Sequence, residues 1–452
     1  MKAGGFPHWT GATSFLLVAL AVGRPAEIPK GRVLEKVACA ADATQTYALY
    51  IPTTFEPGGK WPVLFCFDPG ARGKAPVERF QAAAEKFGWL VAGSNNSRNG
   101  PWEANVTAIN AMVTDVNRFL PIDSRRIYVA GLSGGARVAC QVALGGMPQG
   151  VIACSAAFSG GEIPGKLPFA FFGTAGVTDF NYRELRRVDR DLDERRAVHR
   201  VVIFNGGHEW LPAELAVDAL GWLELHAMRQ GARPKDAAWI QETFAARMAA
   251  VPAAPPVERW RALKSVAADY QGLAGTAALE KEAGSLAGSR AVRDALKAER
   301  AAERTEDNLQ ETLLSAAEEG ATNSVRKLAA ELRAKMTQTD LAPEQRAMAT
   351  RVVQGVASAC GETAREAMRQ QEYDTAARML EAVTLLRPER SQAHFDLARA
   401  RASLGDRKRA LAALQQAIAA GFSDAGRLAS DRAFEKLRKD PEFAALLAAL
   451  QK

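Results

Sequence analysis

The segment Gly131-Leu132-Ser133-Gly134-Gly135 constrains this 452-residue chain more than any other. It follows the apolar run Arg126-Ile127-Tyr128-Val129-Ala130 and leads into small residues from Ala136 through Cys140. The pattern predicts a strand, a tight turn and a helix, with a serine at the tip. Glycines two before and two after the serine let two backbone segments cross closely at a strained turn. That context makes Ser133 a candidate nucleophile at an elbow, not merely the centre of a G-x-S-x-G string.

Around the elbow, residues 30–229 alternate short apolar runs with helical stretches. Strands are expected at 47–51, 61–67, 89–93, 126–130, 151–155, 169–173 and 200–204, and helices at 77–87, 102–119, 182–197 and 212–228. Such alternation predicts an α/β domain, a parallel sheet covered on both faces. Its chemistry belongs beyond the C-terminal strand ends.

A serine hydroxyl is a weak nucleophile without a base, and a carboxylate is needed to hold the base's tautomer. His208, in Asn205-Gly206-Gly207-His208-Glu209-Trp210 after a strand, is the best base among five histidines. His8 lies in the leader, His199 before a strand, His226 inside a helix and His394 in the C-terminal region; each has an easier structural role. Asp179 follows the 169–173 strand and is the leading acid; its alternative role is to cap the helix near Asn181. The chain order Ser133, Asp179, His208 matches an α/β-hydrolase rather than chymotrypsin or subtilisin. Glu209 adjoins the base and orients its loop or meets substrate.

An oxyanion needs two backbone donors. Gly134 N–H is the first, and Gly70 or Ala71 is the candidate second, because Pro69 cannot donate. Asp68 is placed to accept backbone N–H bonds in that turn, and Arg72 either pairs with it or reads an anionic substrate. Trp210, Trp102, Asn95 and Asn96 are candidate pocket walls, with packing or turn formation as the alternative.

These motifs resemble those of exported serine α/β-hydrolases, the esterase, dienelactone-hydrolase-like and polyhydroxybutyrate-depolymerase-like group. The resemblance covers about residues 30–229. It departs at Asp68-Pro69, where many such enzymes begin the loop with His-Gly. It implies an α/β-hydrolase sandwich and acyl transfer from a small-molecule ester or acylated substrate. A serine peptidase of the same fold and an inactive scaffold are the alternatives. Nothing in the sequence points to a cofactor or a metal.

Beyond the catalytic domain, 230–256 reads as a linker, since Pro252-Ala253-Ala254-Pro255-Pro256 breaks periodicity. Residues 257–356 read as helical without evident chemistry. In 357–452, Ala376 and Leu380 recur 34 residues later as Ala410 and Leu414. This resembles the tetratricopeptide repeat in period and small-large pattern. Such repeats offer a surface for a peptide or protein partner; docking on the catalytic domain and dimer formation remain alternatives. The formal charge is +7, but bases alternate with acids, which reads as solvated helix surface and not a nucleic-acid groove. Lys2, the apolar stretch 12–22 and small residues at 21–23 form a signal-like leader over 1–23. It predicts export to a periplasm or the exterior, or a cytoplasmic protein should the leader not function.

Overall fold

The computed structural model describes residues 29–451 except 161, 162, 164 and 254; the leader lies outside the described residues. The chain divides into two compact units. One runs through Gly176 and resumes over Glu184–Val292, and the other joins Val177–Arg183 to the chain from Arg293 onward.

The first unit is built on β1 (Val33–Ala38), β2 (Thr46–Tyr50), β3 (Trp61–Phe67), β4 (Leu90–Ser94), β5 (Ile122–Leu132), β6 (Gly150–Cys154), β7 (Ala170–Gly176) and β8 (His199–Phe204). They form one sheet in the order β1-β2-β4-β3-β5-β6-β7-β8. β1 and β2 run antiparallel to their neighbours and the rest are parallel. The helices between them are α1 (Lys74–Phe87), α2 (Trp102–Phe119), α3 (Gly134–Leu144), α4 (Tyr182–Glu194) and α5 (Ala213–Arg229). Alternation along β3 splits the core. Val63, Phe65 and Phe67 join residues of α2, α3 and α4, while Leu64 and Cys66 join residues of α1 and α5. Both faces are therefore covered, as the apolar strands require, and this is the expected α/β sandwich.

Two local features differ from the sequence reading. The edge strand β1 has no apolar run to announce it, because it is half-exposed. Helix α1 begins before Pro76, since proline is tolerated in a first turn whose N–H groups lack helical partners.

Three further helices belong to the same unit: α6 (Ala237–Ala249), α7 (Pro256–Tyr270) and α8 (Ala277–Ala287). Leu225 and Met228 of α5 share a core with Ile240, Leu263, Val266 and Tyr270, and the Trp222 indole N–H donates to Asp269 at 2.7 Å. The stretch read as a linker thus contains α6, and its prolines start α7, where Pro256 pre-sets the helical φ.

The second unit is all helical outside its short inserted segment: α9 (Arg290–Glu318), α10 (Thr322–Thr337), α11 (Pro343–Arg369), α12 (Tyr373–Leu386), α13 (Ser391–Ser403), α14 (Arg407–Ala419), α15 (Ala425–Ser430), a 3-10 turn and α16 (Pro441–Leu450). Ala376, Ala410 and Leu414 are fully buried, and Gly405 takes a φ of 78° in the turn between α13 and α14. Phe395 stacks on Phe422 at 4.3 Å, a packing role. All five cysteines are buried thiols. Among the described residues, no helix is long and apolar enough to cross a membrane.

Candidate active site

β5 ends at Leu132 and α3 starts at Gly134, so Ser133 alone makes the turn. Its φ of 53° and ψ of −121° are strained for a residue with a side chain. The flanking glycines make the turn sterically feasible. A β-carbon on Gly131 would sit 2.0 Å from the Gly135 carbonyl oxygen, and one on Gly135 would sit 2.0 Å from the Phe67 carbonyl oxygen. The Ser133 N–H donates to the Cys154 carbonyl at 2.8 Å, which fastens the elbow to the end of β6. Ser133 stays partly exposed. Gly134 N–H lies in the first turn of α3, among donors that lack intrahelical partners.

His208 follows β8 by four residues and is partly buried. Glu209 accepts the Gly207 N–H at 3.1 Å, so it orients the loop, one of the two roles read for it. The Ser155 hydroxyl, just past β6, donates to the Glu209 carbonyl at 3.3 Å. The ends of β7 and β8 approach closely, for a β-carbon on Gly176 would fall 2.3 Å from the Gly206 carbonyl carbon. Gly176 and the loop that leads to His208 therefore leave the sheet side by side.

Asp68 organises the facing loop. Its buried carboxylate accepts from Gly70 N–H at 2.8 Å, from Arg72 Nε at 2.8 Å and Nη2 at 3.1 Å, and from the Trp210 indole at 3.0 Å. Ala71 N–H donates to the Asp68 carbonyl at 3.1 Å. Both candidate second oxyanion donors are thus engaged within the Asp68 turn. Arg72 takes the pairing role read for it.

The pocket-wall candidates have structural roles. Trp210 is buried edge-on to Phe80 at 6.2 Å, its ring committed to packing and its N–H to Asp68. Trp102 starts α2 and packs, partly buried, on the sheet core. Asn95 donates to the Glu35 carbonyl, and Asn96 accepts the Thr46 N–H and donates to the Thr44 carbonyl; both tie β4 to the sheet edge. Asn99, which sequence reasoning passed over, lies against the elbow: a β-carbon on Gly134 would fall 1.8 Å from Asn99 Oδ1. Only the fold brings them together, so no local signal marks it.

Asp179 lies in Val177–Arg183, the segment that clusters with the helical unit. It is fully buried. Its Oδ1 accepts the Asn181 N–H at 2.8 Å and its carbonyl accepts the Tyr182 N–H at 2.9 Å. These two bonds close the turn that precedes α4, with one carboxylate oxygen used in it. In the first unit, Arg137 of α3 pairs with Glu184 of α4 at 2.8 Å, and Glu184 also accepts the Ala157 N–H at 2.8 Å. That ion pair, unmarked in the sequence, couples the helix after the serine to the helix after Asp179.

The competing histidines have structural surroundings. His199 stands 3.4 Å from Asp189 and 3.6 Å from Asp193. Burial opposes its charge, but the Asp189 hydrogen bond, the Ala197 carbonyl and both carboxylates hold its pKa above the ordinary value. His226 stacks on Trp222, and burial, reinforced by Arg229, pushes its pKa down to about 4. His394 Nε2 lies 2.9 Å from the Pro388 carbonyl.

No family model matches the chain, and no curated protein matches it. Solved structures similar to it are serine hydrolases and esterases. One is FphF, a fluorophosphonate-binding serine hydrolase of Staphylococcus aureus, 13% identical with a TM-score of 0.35, covering 42% of this chain and 96% of that chain. A Pyrobaculum calidifontis esterase is 13% identical with a TM-score of 0.37, covering 44% and 87%. Esterase B from Lactobacillus rhamnosis is 16% identical with a TM-score of 0.36, covering 44% and 87%.

Proposed function

We propose that this protein is a serine hydrolase that cleaves carbonyl esters through Ser133, His208 and Asp179. The observation that carries the reading is the left-handed backbone of Ser133 between β5 and α3. A side chain held at positive φ by a glycine crossing is a strain that folding alone does not require, and it presents the hydroxyl beyond the sheet.

In this reading His208 takes the Ser133 proton as the hydroxyl attacks the ester carbonyl. Asp179 holds the imidazole tautomer and stabilises the imidazolium. The tetrahedral oxyanion is met by Gly134 N–H. A second donor from Gly70 or Ala71 has to exchange its bond within the Asp68 turn for one to the oxyanion. His208 then protonates the departing alcohol, and the acyl-enzyme is released by a water that His208 activates.

We read 357–452 as tetratricopeptide-like helices that recruit a peptide or protein partner. Export rests on the leader, and N-terminal sequencing of the mature protein tests it.

The test is labelling by a fluorophosphonate probe, with the modified site mapped by mass spectrometry. Labelling at Ser133, lost in Ser133→Ala together with turnover of a small ester, is expected. The loss in kcat should be roughly 10⁴-fold or more. Wild-type-like turnover by folded Ser133→Ala sinks the assignment, and amide turnover exceeding ester turnover favours a peptidase.

A further inference from the structure

The helices between 257 and 356 look like solvated surface in composition, yet Arg351 on α11 is only 2% exposed. A buried guanidinium needs an acceptor for each of its donor directions. Glu306 on α9, itself 1% exposed, accepts Nε at 2.9 Å and Nη2 at 2.7 Å. Glu344 accepts Nη2 at 2.9 Å. The remaining nitrogen, Nη1, donates to the backbone carbonyl of Val177 at 2.8 Å. The guanidinium also lies 4.4 Å from the centre of the Tyr182 ring.

Val177 and Tyr182 bracket Asp179 within its segment. Its far end is tied as well, because Arg183 donates to Asp307 on α9 at 2.9 Å. In its middle, a β-carbon on Gly355, one turn along α11 from Arg351, would fall 3.4 Å from the Phe180 β-carbon. The segment is thus gripped at both ends and the centre by α9 and α11. A charge pair that served the helices alone would have no need to spend a guanidinium nitrogen on a main-chain carbonyl two residues from the acid.

We propose that Arg351, held in place by Glu306, is a positioning residue for Asp179, fixing the backbone that carries the acid. The proposal rests on the serine-hydrolase reading. The role lies within the unit that holds the 177–183 segment, and it requires no partner and no ligand.

The experiment uses the full chain. The double variant Arg351→Met/Glu306→Leu removes both buried charges together, so neither is stranded, and it severs the bond to Val177. Turnover of a p-nitrophenyl ester is measured against pH, alongside hydrogen exchange of the 177–183 peptide. Faster exchange is expected there, with kcat lowered by roughly 10- to 100-fold and KM little changed. The acid limb of the kcat profile should move to lower pH, because an imidazolium with a misplaced carboxylate loses its proton more readily. Arg351→Lys keeps a cation beside Glu306 but lacks the fork that reaches Val177 as well. It should show the same shift in smaller measure, and it carries the test should the double variant lose its helical signal. A folded variant with wild-type kcat and an unmoved acid limb overturns the proposal. A wild-type protein whose Ser133 is inert to the fluorophosphonate sinks the hydrolase reading and this role with it. An active wild type with indifferent variants sinks this role alone.

Discussion

The Trp210 indole donates to the Asp68 carboxylate across 142 residues of sequence, at 3.0 Å. That single bond joins the loop after β3 to the loop that carries His208. The same carboxylate accepts from Gly70 N–H and from Arg72, so it has no capacity left for a donor in place of an oxygen.

Asp68→Asn tests this arrangement. The carboxamide has one acceptor oxygen where the carboxylate has two, and its NH₂ would face a donor. Hydrogen bonds to a charged group are at stake, so a loss of about 2 kcal/mol in stability is expected. Turnover should fall by roughly 10- to 100-fold as both loops lose register. Denaturant titration and ester kinetics on the purified variant check the two effects, and unchanged kinetics would show that Asp68 does not hold the two loops in register.

The sequence made the elbow legible because its determinants are local: a strand, a serine flanked by glycines and a helix follow in order. His208 stands out in the sequence as a candidate because its rivals sit in contexts with other roles. Asp68 and Arg72 were legible as a pair because four residues separate them in one turn. The bond from Trp210 was not, since an indole in a loop looks the same whether it lines a pocket or reaches a buried carboxylate. Asn95 and Asn96 are opaque for a similar reason: polar loop residues do not disclose that their partners are Glu35, Thr44 and Thr46. Arg351 was hidden by the Arg- and Glu-rich helices around it, where composition averages a buried ion pair into a solvated surface.

Gly135→Ala probes the crossing itself. The added carbon would meet the Phe67 carbonyl oxygen at 2.0 Å, a backbone atom that cannot rotate away. Overpacking of this kind costs about 1–3 kcal/mol. The variant should show a lower thermal midpoint and little labelling by a fluorophosphonate. Normal labelling would mean that the elbow tolerates a wider turn than its geometry implies.

The position of α6–α8 predicts how the chain can be cut. A fragment of 30–229 would lay bare Leu225 and Met228 and strip Trp222 of Asp269. It should be less soluble than a fragment ending at 292, and it should unfold at a lower denaturant concentration. Equal stability of the two would show that α5 does not depend on the helices that follow.

Acid sensitivity has a specific source in His226, whose folded pKa is about 4 against an ordinary 6.5. Above the ordinary value neither the folded nor the unfolded chain is protonated there, and the full stability is present. Between those values the unfolded chain takes up a proton that the folded chain refuses, so stability falls as pH drops. The slope approaches about 1.4 kcal/mol per pH unit. His226→Phe keeps a ring against Trp222 and removes the titration. Its thermal midpoint should fall less than that of wild type over this range, and equal falls would assign the acid sensitivity to other groups.

The buried thiols give the molecule an internal clock. Burial pushes Cys39 and Cys360 up to about 11 and holds Cys66 and Cys140 well above the ordinary thiol value, so an alkylating reagent meets almost no thiolate while the fold is closed. Modification must then wait for opening. Cys360 belongs to the helical unit and the other four to the sheet unit, so the order in which the five masses appear records which unit breathes first.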